Sequence, residues 1–298
     1  MCGIVGLHLS DPALHPRLGS LLAGMLGQVV ERGPDSAGVA VYGDPRLTPP
    51  GHSAVSLLDT GLSAAEVAGK VAAALGLAAE AVQADETVVV HAAVSPEALL
   101  AAVSEALPNA LVIGSGRELA VLKGVGNPDR LAESFGLASV QGWQAVAHTR
   151  MATESAVTAA GSHPFSVGLD QCLVHNGSFA NHATIRRDLR AAGVRFDSEN
   201  DSEVGARFVA QRLLEGCDLE KALQLLCESF DGFYTLLVTT GDSFAVVRDA
   251  IACKPAIIAQ TDRWVAMASE YRALDTLPGI EDARIFEPEP EEVYLWRR

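Results

Sequence analysis

Residues 2–9 read Cys-Gly-Ile-Val-Gly-Leu-His-Leu, nearly without polar interruption, and predict a strand buried on both faces. The period then changes. Leu18, Leu21, Leu22, Met25, Leu26 and Val29 recur at intervals of three and four, which predicts an amphipathic helix over residues 17–30. A Gly-Pro-Asp turn leads into a strand over 38–42. Residues 161–167 read as a loop, and 172–175 as a short strand that stops at Asn176-Gly177. Helices are predicted over 183–192, 202–214 and 219–229, with Asp201 at the cap of the second. Four strands follow at 233–239, 243–248, 255–259 and 263–268. Strands at both ends with helices between predict two packed sheets flanked by helices. Residues 44–122 carry an Ala-rich helix (63–77), a strand-turn-helix (87–107) and a hairpin-like stretch (111–122) turning at Gly114-Ser115-Gly116.

Composition narrows the classes. In 298 residues, 49% are hydrophobic, enough for a substantial core. No run of 18 apolar residues and no leader pattern occurs, so a cytoplasmic protein with no membrane segment is expected. A net charge of -15 argues against nucleic acid, whose phosphates demand a basic surface. The acidity gathers in Glu281-Asp282 and in the acidic C-terminal edge 287–298, which reads as solvated. Five cysteines at positions 2, 172, 217, 227 and 253 show neither metal spacing nor a disulfide framework. Gly114-Ser115-Gly116 lacks the Lys-Ser/Thr of a phosphate loop, which leaves it as a turn.

The candidate chemistry begins at Cys2. A small second residue permits removal of Met1, leaving Cys2 with a free α-amine of near-neutral pKa beside its own thiol. Such a residue can serve as nucleophile and base at once. Four segments accompany it: Arg32-Gly33-Pro34-Asp35-Ser36-Ala37-Gly38, His148-Thr149-Arg150-Met151-Ala152-Thr153, His175-Asn176-Gly177 and Asp201-Ser202-Glu203. In this order behind Cys-Gly-Ile, the chain resembles the class II, N-terminal-nucleophile glutamine amidotransferase domain. The resemblance implies an α+β fold, the four-layer αββα sandwich, over residues 2–290. Residues 44–122 are extra relative to compact members and are expected to form an inserted small α/β subdomain.

By the same resemblance, Cys2 attacks the side-chain amide of L-glutamine, and Asn176 and Gly177 receive the oxyanion. Arg150 and Thr153 hold the substrate carboxylate, a planar guanidinium being suited to both oxygens. Asp201 holds the α-ammonium; a bare helix cap is the alternative. Arg32 and Gly33 lie in the loop that closes over glutamine, with an Arg32–Asp35 ion pair as the structural alternative. His148, His163 and His175 are not needed and are expected to be structural, and Ser269-Glu270 and Arg248-Asp249 to support the pocket or sheet. No metal or cofactor is expected in this chain.

Hydrolysing glutamine for its own sake wastes it, and the sequence carries no phosphoribosyltransferase, isomerase or synthetase segment. The chain is most similar to glutaminase subunits of glutamate-synthase-like assemblies, including the small subunit of N-methylglutamate synthase. That implies a hetero-oligomer in which a separate synthase subunit carries FMN and iron–sulfur clusters. Two alternatives are a non-catalytic glutamine-sensing subunit and an N-terminal-nucleophile hydrolase of another amide. Arg150 with Asp201 argues against the second, and an intact Cys2, Asn176 and Gly177 against the first.

Overall fold

The computed structural model describes residues 2–151 and 157–298. In chain order the elements are β1 (Gly3–Leu9), α1 (Leu18–Gly27), β2 (Ser36–Tyr42), β3 (Ser53–Leu58), α2 (Ala64–Leu75), β4 (Glu80–Ala84), β5 (Thr87–Ala92) and α3 (Pro96–Ala106). Next come β6 (Leu111–Gly116), β7 (Leu119–Val125), α4 (Pro128–Ser134), β8 (Gln144–Arg150), β9 (Cys172–Phe179), α5 (His182–Ala191), α6 (Asp201–Leu214) and α7 (Leu219–Ser229). The chain closes with β10 (Gly232–Thr239), β11 (Ser243–Arg248), β12 (Ile257–Gln260), β13 (Trp264–Ala268), α8 (Tyr271–Leu274), β14 (Arg284–Phe286) and β15 (Tyr294–Arg297).

A seven-stranded sheet runs β14-β12-β13-β1-β8-β2-β7, and a four-stranded sheet runs β15-β11-β10-β9. The apolar opening strand lies at the centre of the first, paired antiparallel with β13 and β8, which explains why it needs apolar side chains on both faces. Val5, Leu7 and Leu9 face the helical layer, where the stripe Leu18, Leu22, Met25 and Leu26 of α1 packs on them. Ile4 faces the other way and meets Val174, Leu237, Phe244 and Val246 of the second sheet. Beyond that sheet, Val204, Phe208, Leu223 and Leu226 of α6 and α7 bury the outer faces of β9, β10 and β11. The layers are therefore helix, sheet, sheet, helix, the αββα sandwich. Among the described residues no helix is long and apolar enough to cross a membrane.

A third sheet, β4-β5-β3-β6, is covered by α2 and α3 through Val67, Val71, Leu99 and Val103. Ser63 caps α2 with a reciprocal Ser63–Glu66 box, and Gly76 ends it in the left-handed conformation. The stretch 111–122 differs from its expected hairpin. Gly114-Ser115-Gly116 continues β6, the turn falls at Arg117-Glu118, and β7 leaves to pair with β2 in the seven-stranded sheet. The carboxylate of Asp170 pins this turn by accepting from the backbone N–H groups of Arg117, Glu118 and Leu119. A partner some fifty residues away leaves no local signature. The acidic C-terminal run likewise leads into a strand, since β15 pairs with β11.

Candidate active site

Cys2 immediately precedes β1 and is partly exposed. Its neighbour Gly3 is anchored where its N–H donates to Thr149 Oγ1 (3.2 Å), and Thr149 in turn donates to the carbonyl of Val29. One residue on, the Ile4 N–H donates to Ser269 Oγ (2.9 Å), and the Ser269 N–H donates back to the Ile4 carbonyl. The start of the central strand is thus clamped on both edges, which restricts where the Cys2 side chain can lie.

Two side chains converge on the carbonyl of Cys2. Arg32 Nε donates at 2.9 Å and Asn176 Nδ2 at 3.3 Å. Arg32 also pairs through Nη1 with Glu270 Oε1 at 2.9 Å, with side chains 12% and 27% exposed. Burial opposes ionisation of Glu270, but the bonds and charges of Arg32 and Arg272 hold its carboxyl below its usual value. Arg32 Nη2 is buried with no partner, a donor left over beside Cys2. The expected alternative partner, Asp35, is not the one Arg32 takes: Glu270, seen in the sequence only as a supporting residue, occupies that place.

Gly33 brings the loop against the end of β8. A Cβ there would lie 2.5 Å from the backbone of Arg150, a contact only glycine avoids. Pro34 bridges to Arg150 and the Asp35 N–H donates to its carbonyl. Arg150 closes β8, 7% exposed. Its guanidinium borders the loop at Gly161, whose carbonyl accepts from Asn200 Nδ2 at 3.4 Å, so Arg150 and the head of α6 flank the same loop. Thr153 lies outside the described residues.

The strand over 172–175 does not stop at Asn176-Gly177. β9 continues to Phe179, pairing residue by residue with β10. Gly177 absorbs the distortion at φ +147°, and a Cβ there would sit 2.0 Å from the Phe233 carbonyl. Nor is Asp201 the helix cap. Asn200 caps α6 by accepting from the Ser202 N–H, which leaves Asp201 in the first turn, its Oδ2 accepting from the Phe179 N–H at 2.9 Å. A carboxylate at that position is favoured by the unpaired N–H groups and dipole of the helix start.

His148, His163 and His175 form a buried row, tilted and edge-on to one another with ring centroids 4.1 and 6.3 Å apart, that ends at His175 on the α6 side of β9. Burial drives their pKa values down, to about 3 for His148 and about 4 for His175, so the row is uncharged at neutral pH. A separate cavity of about 240 Å³, lined by His52, Glu80 and His91, belongs to the third sheet and includes none of the residues around Cys2.

A cysteine at the head of a central strand, its carbonyl held by Arg32 and Asn176 from two distant segments, is an arrangement suited to attack on an amide. Residues 148–276 match a family model described as a glutamine amidotransferase domain. The glutamine amidotransferase-like protein GlxB of Rhizobium meliloti is 46% identical over 99% of this chain and 98% of its own length. The chain belongs to the class II glutamine amidotransferases. A putative glutamine amidotransferase of Methanothermobacter thermautotrophicus is 28% identical over 99% of both chains. Two solved structures share the amidotransferase fold at 18% identity. They are the allosteric regulatory enzyme of purine biosynthesis (TM-score 0.65) and the glutamine phosphoribosylpyrophosphate amidotransferase of B. subtilis (TM-score 0.61). This chain spans 46% and 49% of those longer chains.

Proposed function

We propose that this amidotransferase hydrolyses L-glutamine at Cys2 and hands the ammonia to a separate synthase subunit. The observation that carries the reading is the convergence of Arg32 and Asn176, from two distant motifs, on the carbonyl of Cys2. After removal of Met1, the α-amine of Cys2 takes the thiol proton, directly or through a water. The thiolate then adds to the amide carbon of glutamine, and the oxyanion is met by the Asn176 side chain and the Gly177 N–H. Losing one such donor typically costs about 10²–10³ in turnover. The C–N bond breaks as the protonated amine gives its proton to the leaving nitrogen, releasing ammonia and leaving a glutamyl thioester. Water, activated by the same amine, releases glutamate.

Arg150, with Thr153, grips the substrate carboxylate, and Asp201 grips its ammonium; together they select an α-amino acid amide. Arg32 and Gly33 fix the backbone of Cys2 and of the covering loop. The acceptor chemistry, with its FMN and iron–sulfur clusters, is assigned to a partner of the glutamate-synthase type, with N-methylglutamate synthase as the specific proposal. Of residues 44–122, the expected insertion, 119–122 belong to β7 of the seven-stranded sheet; the remainder forms the inserted unit in this reading and supplies the docking surface.

Processed protein treated with a glutamine-mimicking diazo-ketone is expected to carry one adduct, located by mass spectrometry on Cys2, and Cys2→Ala is expected to release no glutamate. An adduct on another residue, or hydrolysis surviving in Cys2→Ala, would overturn the assignment.

A further inference from the structure

His175 is absent from the proposed chemistry, yet its bonding reaches the residue that grips the substrate ammonium. The ring is buried, stacked on Phe179 at 4.3 Å, with Nδ1 2.8 Å from Ser202 Oγ. Ser202 Oγ lies 3.3 Å from Asp201 Oδ1, while Asp201 Oδ2 is held by the Phe179 N–H. Ser202 is itself 2% exposed, so water does not compete for its hydroxyl.

The direction of this chain follows from counting protons. A serine hydroxyl has one hydrogen to donate, and a neutral imidazole has one N–H. If that N–H were on Nε2, Ser202 would donate to Nδ1, Asp201 Oδ1 would lose its donor, and a buried N–H at Nε2 would stand unpaired, because Nε2 has no partner. With the proton on Nδ1 all three groups are served: imidazole N–H to serine oxygen, serine O–H to carboxylate. A chain of donors ending on a carboxylate strengthens each bond in it.

We propose that His175 and Ser202 are positioning residues that orient the Asp201 carboxylate toward the α-ammonium of glutamine. Their contribution is to recognition of the amino group and not to attack on the amide. The inference rests on the glutaminase reading, and binding is separable from turnover.

The test uses the full chain carrying Cys2→Ala, which cannot turn over, titrated calorimetrically with L-glutamine and with glutaramate, the same amide lacking the α-ammonium. Adding Ser202→Ala is expected to weaken glutamine binding about tenfold, as for loss of a charge-assisted bond, and to leave glutaramate unchanged. In an Asp201→Asn background, Ser202→Ala is expected to have no further effect on glutamine, because the carboxylate it orients is gone. Unaltered glutamine affinity in Ser202→Ala overturns the proposal, as does an equal loss for both ligands, an undiminished effect in the Asp201→Asn background, or failure of the Cys2→Ala chain to bind glutamine. Hydrolysis by the unsubstituted protein separately decides the glutaminase reading. Thermal melts run alongside separate misfolding from misorientation, and Ser202→Thr, which keeps the hydroxyl, is expected to restore binding.

Discussion

Arg32 makes two contacts that no other side chain could combine, with a backbone carbonyl on one side and a carboxylate on the other. A lysine has the charge but not the fork, and its strongly hydrated ammonium cannot meet both partners from fixed positions. Arg32→Lys is therefore expected to lower kcat/KM for glutamine by about ten- to hundredfold, the worth of a charged hydrogen bond. Thermal stability should change less, because lysine keeps a positive charge beside Glu270. An unchanged kcat/KM would show that Arg32 merely decorates the loop. At this scale part was legible: Cys2, Arg32 and Asn176 stand in separate motifs and meet in space. Ser202 stood in a motif and Glu270 in a supporting segment, but the partner of neither was legible, because the partners lie 27 and 238 residues distant along the chain.

At the scale of elements, hydrophobic period found most of the framework. It placed β1, α1, α2, α7 and β11 close to their observed bounds, since each presents an unmixed apolar face. It failed where pairing overrides pattern. β9 continues through Asn176-Gly177 because β10 lies alongside, and β7 leaves its apparent hairpin because β2 offers a fully buried neighbour. It also left β8 unassigned although that strand carries three motif residues, His148, Thr149 and Arg150. The buried imidazoles of β8 and β9 give a further expectation. Unfolded, each takes up a proton near pH 6.5; folded, burial holds that off until about 3 for His148 and about 4 for His175, with His163 also well below its ordinary value. Below pH 6.5 the unfolded chain binds more protons, so the stabilisation is complete above that pH and drains away as pH falls. The loss is roughly 1 kcal/mol per imidazole per pH unit. The melting temperature should fall steeply between pH 6.5 and 5; a flat profile would mean the row takes up protons freely in the folded state.

For the whole molecule, the register of the seven-stranded sheet explains how the chain tolerates so large an extra unit. Tyr42 and Leu119 are direct partners at the end of the β2–β7 pair, so residues 43–118 leave and return at one hairpin mouth. Replacing 43–118 by an Asn-Gly turn, the pair favoured for a two-residue hairpin, should close that mouth. The shortened protein is expected to keep a cooperative melt and glutamine hydrolysis. It should be less stable, because Ala54, Ala84 and Val89 no longer cover the apolar groups beneath them. Loss of hydrolysis with an intact melt would show that the extra unit serves the active site directly.

The position of Cys2 has a practical corollary for anyone handling the molecule. In the proposed mechanism its α-amine is the working base, so a purification handle fused ahead of it would silence the protein, and one at the other end would load β15, a strand of the second sheet. The loop at Gly61 has open space around it and lies in the third-sheet unit, away from the residues around Cys2. A handle or dye inserted there leaves both sheet-bound ends of the chain untouched.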